Sequence, residues 1–160
     1  MAVERVVAAS SVCAGSPEQL WQLLSDPKRF VEWADATRAV LRSDDPLKIG
    51  GVYVERNRLL GPLSTTVTYT VEEADEPGWM LHRAEGSALT SSMHFFVELT
   101  PVAEPEAPGV AATRVRLGLR YVPALGPLGA LLTHLIRPQL QRGFARSVAN
   151  VAAIAARERL

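Results

Sequence analysis

The stretch Leu128–Arg159, LGALLTHLIRPQLQRGFARSVANVAAIAARER, decides the fold. Leu128, Leu132, Ile136, Leu140, Phe144, Val148, Val151 and Ala155 recur at steps of three or four, which is one stripe of a long amphipathic helix. Arg137, Arg142, Arg146, Arg157 and Arg159 stand mostly off that stripe. Pro138 falls inside the pattern, and because proline lacks the amide proton that a helix interior uses, a kink or a break is expected there. A helix with a single apolar stripe needs a surface to bury it against, so the preceding residues must supply one.

Upstream the period changes from helical to strand-like. Ala36–Ser43, Gly51–Leu59, Ser64–Glu73, Trp79–Glu85, Thr90–Val102 and Ala112–Val122 are separated by the turn signals SDDP, LGP, ADEPG, Gly86-Ser87 and AEPEAPG. No helical pattern interrupts them, and β-branched runs such as TTVTYTV fit an antiparallel meander. Before the meander, Val3–Val12 alternates loosely as a first strand ended by Gly15. Ser16-Pro17-Glu18 then opens a helix of about two turns with Leu20, Trp21, Leu23 and Leu24 as its buried face. Asp26-Pro27 stops it and starts a second short helix, Pro27–Trp33. The order predicts an α+β domain over residues 1–160, with seven antiparallel strands, two short helices after the first strand and one long C-terminal helix. A strongly twisted sheet of that width curls around one helix without meeting it flush, so a hollow is expected between them.

Composition narrows the function classes. Lys+Arg and Asp+Glu both number 17, so no global basic field exists to recruit nucleic acid or an anionic membrane, although local basic clusters remain open. The start of the chain lacks a signal-like apolar region, and no apolar run reaches about 20 residues, which points away from secretion and from an integral membrane segment. A lone Cys13 offers neither an internal disulfide nor a metal-binding pair and fits a reducing cytoplasm. His82, His94 and His134 show no metal-ligand spacing, and no phosphate-loop, dinucleotide or serine-nucleophile motif occurs. Neither metal nor cofactor is expected, and monomer and homodimer both stay open.

The ordered set SPEQLWQLLSDPKRFVEW, LKIGGVY, TYTVEE before EPG, FFVELTP, TRVRLGLRY and the closing helix resembles the START/Bet v 1-like helix-grip (SRPBCC) superfamily, especially its bacterial polyketide cyclase/dehydrase and lipid-transport-like branch. The resemblance covers essentially the whole chain. It implies a cavity between curved sheet and long helix that holds a hydrophobic or polyketide-like small molecule, as a carrier or, alternatively, as a cyclase or dehydratase. It also implies that Trp33, set in LSDPKRFVEWADA among Lys28, Arg29, Glu32 and Asp35, lies by the cavity mouth. Cyclases of this fold carry an arginine along the middle of the sheet; the corresponding STTVTYTV has none, and Arg83 is the candidate substitute.

Strand alternation selects further candidates. Val67, Tyr69 and Val71 share one apolar parity, as do Met93, Phe95, Val97 and Leu99, and Val115, Leu117, Leu119 and Tyr121; each set is expected to face inward. The arginines Arg114, Arg116 and Arg120, with His94 and Glu98, then face outward. Two strands stay open: in Gly51–Leu59 either Tyr53, Glu55 and Asn57 or Val52, Val54, Arg56 and Arg58 face in, and in Trp79–Glu85 either Met80, His82 and Ala84 or Trp79, Leu81 and Arg83 do. Solvent is the expected place for Arg56 and Arg58. Acid/base candidates are Tyr69, His82 and Tyr121; ligand-contact candidates are Trp33, Tyr53, Tyr69, Arg83, Phe95, Val97, Tyr121, Leu132 and Ile136. A third reading gives the basic helix face of Arg137, Arg142 and Arg146 an acidic protein partner.

Overall fold

The structure, a computed structural model, describes residues 3–44, 47–59, 61–103 and 109–160. Its elements follow in the order β1 (Arg5–Ala14), α1 (Pro17–Ser25), a 3-10 turn (Pro27–Arg29) running into α2 (Phe30–Trp33), β2 (Thr37–Ser43), β3 (Val52–Arg58), β4 (Ser64–Asp75), β5 (Trp79–Glu85), β6 (Thr90–Pro101), β7 (Ala112–Pro123) and α3 (Gly126–Glu158). The seven strands form one antiparallel sheet in the order β1-β7-β6-β5-β4-β3-β2. The expected α+β architecture is therefore the observed one. The SDDP, LGP and AEPEAPG turns fall partly or largely on residues 45–46, 60 and 104–108, outside those described.

Local chemistry sets the helix starts. Ser16 Oγ accepts from the Gln19 amide at 3.3 Å while Gln19 Oε1 accepts from the Ser16 amide at 2.9 Å, a reciprocal cap that satisfies two otherwise orphan donors of α1. Pro27 begins the next turn, capped by Asp26 Oδ1 accepting from the Lys28 amide. Of the kink or break expected at Pro138, the break does not occur: α3 continues through it without ending. Gly129 is required near its start: a Cβ there would overlap the Ala124 carbonyl oxygen, over which the first turn folds.

The long helix seats mainly on β1 and β7. β1 is an edge strand, and α3 closes it: Arg137 Nη2 donates to Val6 O, Gln141 Nε2 donates to Ala8 O at 2.6 Å, and Arg5 Nη1 reaches back to Ala130 O. The C-terminal half of α3 holds α2, since Asn150 Nδ2 donates to Trp33 O and Ser147 Oγ accepts from the Asp35 amide at 2.9 Å. Two of the three arginines assigned to a basic docking face, Arg137 and Arg146, are thus engaged within the molecule, the latter with Asp35.

The open parities are resolved. Tyr53, Glu55 and Asn57 of β3, and Met80, His82 and Ala84 of β5, are buried on the inner face. On the outer face Phe96 is nonetheless only 1% exposed, because Trp79 stacks beside it and Arg116 and Arg120 lie over it at 5.1 and 5.4 Å. Gly118 makes this possible: a Cβ there would sit 2.6 Å from Phe96 Cζ and 2.6 Å from Val7 O. Gly118→Val should therefore destabilise the fold by about 2 kcal/mol or more, read as a lowered urea midpoint at unchanged slope.

Candidate functional site

A cavity of about 220 Å³ lies between the sheet and the middle of α3. Its floor is Val67 and Tyr69 of β4, Tyr53, Glu55 and Asn57 of β3, Met93 and Phe95 of β6, and Leu117 and Leu119 of β7. Phe30 and Trp33 supply one wall, and Leu140, Gly143, Phe144 and Ser147 of α3 supply the roof. The most exposed lining residues are Ala36, Leu59 and Gln139, so the mouth opens between the α2–β2 connection, the end of β3 and α3. Gln139 Nε2 donates to Leu59 O at 3.0 Å across that gap.

The mouth is charged. Asp35 Oδ2 accepts from Arg58 at 2.7 Å and from Arg146 at 3.4 Å. Arg58, expected in solvent, instead lines the mouth because Asp35 gives its guanidinium a partner there.

The interior is apolar except at one end, where β2 and β3 bring Thr37, Glu55 and Asn57 together with Tyr69. Glu55 is 6% exposed, and no cation is paired with it among the described residues. Burial pushes its carboxyl up from 4.5 to about 7, with hydrogen bonds from Asn57 and Thr37 partly offsetting the effect. Thr37 Oγ1 donates to Glu55 Oε2 at 3.4 Å, and Asn57 Nδ2 donates to the Tyr69 hydroxyl oxygen at 3.0 Å. The Tyr69 O–H thus keeps its own proton to give. Burial raises the Tyr69 pKa, keeping the phenol neutral.

Of the residues singled out by sequence, Trp33, Tyr53, Tyr69 and Phe95 are brought together on the cavity wall. Trp33 is 3% exposed and packs edge-on against Phe30 at 5.5 Å, so it forms an inner wall and not the rim. Arg83 is a correction: it has the outward parity of β5 and pairs with Glu72 and Glu85. His82 faces in but lies outside the lining. Its Nδ1 and the Tyr53 hydroxyl are 2.9 Å apart, and burial pushes its pKa down to about 3, so it stays neutral. Tyr121 and Val97 are each one inward step beyond a lining residue, Leu119 and Phe95, and are buried in core. Leu132 and Ile136 lie N-terminal to the Gln139–Ser147 stretch of α3 that roofs the cavity, so they do not reach it.

Glu55, Asn57 and Thr37 were not selected from the sequence. A signal existed in the β3–β4 register, which sets Tyr53 opposite Tyr69 and hence on the same face, the two rings stacking at 4.8 Å.

Residues 4–156 match the family described as polyketide cyclase / dehydrase and lipid transport, and the chain belongs to that family. Its fold is similar to that of the Zhui aromatase/cyclase from Streptomyces sp. R1128, with a TM-score of 0.77 at 15% identity over 99% of this chain and 97% of that one. A START superfamily protein from Mycobacterium smegmatis aligns with a TM-score of 0.67 at 14% identity, covering 92% and 97% of the two chains. Truncated norcoclaurine synthase from Thalictrum flavum aligns with a TM-score of 0.68 at 10% identity, covering 96% and 94%. At these identities the likeness shows the START/Bet v 1 fold. No curated protein matches by sequence. No helix among the described residues is long and apolar enough to cross a membrane.

The raised Glu55 carboxyl gives a pH signature. Because the folded value of about 7 lies above the ordinary 4.5, the native state holds an extra proton between those values, and stability falls as pH rises through that window. Glu55→Gln should remove a stability loss of about 3 kcal/mol between pH 4.5 and 7, measured as the difference between wild-type and variant urea curves at each pH.

Proposed function

We propose that the cavity binds a small, largely apolar molecule carrying enolisable ketone groups, such as a polyketide-like chain, and that Glu55 is the acid/base group that cyclises or dehydrates it. The observation that carries this reading is a buried carboxyl poised near neutrality inside a mainly apolar cavity. The match to the polyketide cyclase / dehydrase and lipid transport family supports the ligand class. As carboxylate, Glu55 takes a proton from the carbon beside a ketone, and the Tyr69 hydroxyl is available to hydrogen-bond the enolate oxygen. Attack of the enolate carbon on a second carbonyl forms the carbon–carbon bond, and Glu55 returns its proton to the resulting alkoxide. In dehydration Glu55 takes a second proton from the α-carbon and delivers it to the β-hydroxyl, which leaves as water as the carbon–carbon double bond forms. The apolar walls bend the chain so that the two carbons approach, which contributes rate by orientation.

A carrier reading uses the same cavity and is favoured by its mainly aliphatic and aromatic lining. The two readings separate in one experiment. A compact cyclic β-diketone is added to protein carrying Trp21→Phe and Trp79→Phe, so that Trp33 alone reports binding. Solvent deuterium uptake at the α-carbon is then followed by NMR. The enzyme reading expects exchange about 100-fold or more above the uncatalysed rate, and its loss in Glu55→Gln with the Trp33 titration within about threefold of wild type. Binding without accelerated exchange would leave only the carrier; no change in Trp33 emission would sink both.

A further inference from the structure

The outer face of α3, turned away from the cavity, has no use in the reading above. Leu128, Leu131 and Leu135, spaced by three and four on one helical face, are 58%, 55% and 65% exposed. Seven residues beyond Leu135, two helical turns along the same face, stands Arg142, exposed and without an ion pair among the described residues; Arg146, one turn later, is paired with Asp35. Upstream of its final residue, Glu158, the helix contains no acid. The stripe borders the cavity mouth, because Gln139 holds Leu59, itself 48% exposed, against the helix.

The chemistry of this face selects its occupant. It is convex, so a partner must mould around it, and it needs hydrocarbon over the leucines with negative charge over Arg142. A second copy fits badly: parallel pairing of the face sets arginine against arginine, and antiparallel pairing sets arginine against leucine. A bilayer surface supplies both requirements in the required layers.

We propose that the outer face of α3 docks on an anionic phospholipid bilayer, with Leu128, Leu131 and Leu135 at the headgroup–acyl boundary and Arg142 on a lipid phosphate. Docking this way sets the cavity mouth beside the membrane, where an apolar ligand can pass without crossing water.

Flotation of the full chain with vesicles tests this. Vesicles of equal parts phosphatidylglycerol and phosphatidylcholine should bind it about fivefold or more tightly than phosphatidylcholine alone, as one unpaired arginine near an anionic surface implies. Leu131→Glu with Leu135→Glu, and separately Arg142→Glu, should each lower that binding about tenfold while thermal unfolding stays near wild type, since these side chains are exposed. Wild-type protein that fails to float with anionic vesicles, or variants that float as well as wild type, would overturn the proposal. So would a lipid-independent dimer that the double leucine variant dissolves, which would assign the face to a second copy.

Discussion

The seating of α3 on the open edge of β1 determines the rest of the molecule. Arg137 and Gln141 satisfy carbonyls that an edge strand would leave bare, and Arg5 returns a bond to the helix backbone. Seven strands span roughly 30 Å across a sheet, whereas a helix with its side chains is only about 10 Å wide. A helix held to one edge of a curled sheet therefore cannot fill the concave side. The uncovered strands β3 and β4 become the cavity floor, while α2, tied to α3 through Trp33 and Asp35, closes one side. The void is a geometric consequence of where the helix is fastened.

Within that void the polar groups divide into two sets with different access. The Tyr53 hydroxyl and His82 Nδ1 pair beneath the surface, and the imidazole lies outside the cavity lining. Glu55 and Tyr69 stand on the cavity side. Holding a carboxyl there without a cation costs stability above about pH 4.5, by the same linkage that raises its pKa. A leucine in its place would incur no such cost, so the carboxyl's presence argues for use rather than for folding. His82 is the reverse case: a neutral histidine paired through Nδ1 contributes packing and a hydrogen bond, and burial holds its pKa well below neutrality.

The architecture was legible because its signals are periodic and redundant. A stripe from Leu128 to Ala155, six strand runs and the Ser16-Pro17 start all agree with one topology. The site was legible only where alternation was unambiguous, as for Tyr69 and Phe95. In VYVERNR and WMLHRAE both parities carry apolar residues, so alternation alone left Glu55 and Arg83 unplaced. Register removes the ambiguity, since directly opposed residues share a face: Tyr69 faces in, so Tyr53 does, and with it Glu55; Phe95 faces in, so His82 does, and Arg83 cannot. Tyr121, Val97, Leu132 and Ile136 differ in kind. Their inward or half-buried placement followed from pattern, but how far a cavity extends along a strand or helix depends on packing that one-dimensional periodicity does not encode.

The zero net charge is likewise a sum that conceals its distribution. From Gly126 to Leu160 the chain carries five arginines and one glutamate, so the remainder is correspondingly acidic. Between about 8 and 10 Å of screening length at ordinary ionic strength, a surface responds to the charges nearest it and not to the total. On the convex sheet the arginines are neutralised by use: Arg116 meets Glu98, and with Arg120 it covers Phe96. On α3 there is no acid close along the helix to play that part for Arg142. The same residue type thus seals a core on one face and, as Arg142, has no ion pair among the described residues on another, and it is the neighbouring acids and aromatics, not the arginine count, that decide which.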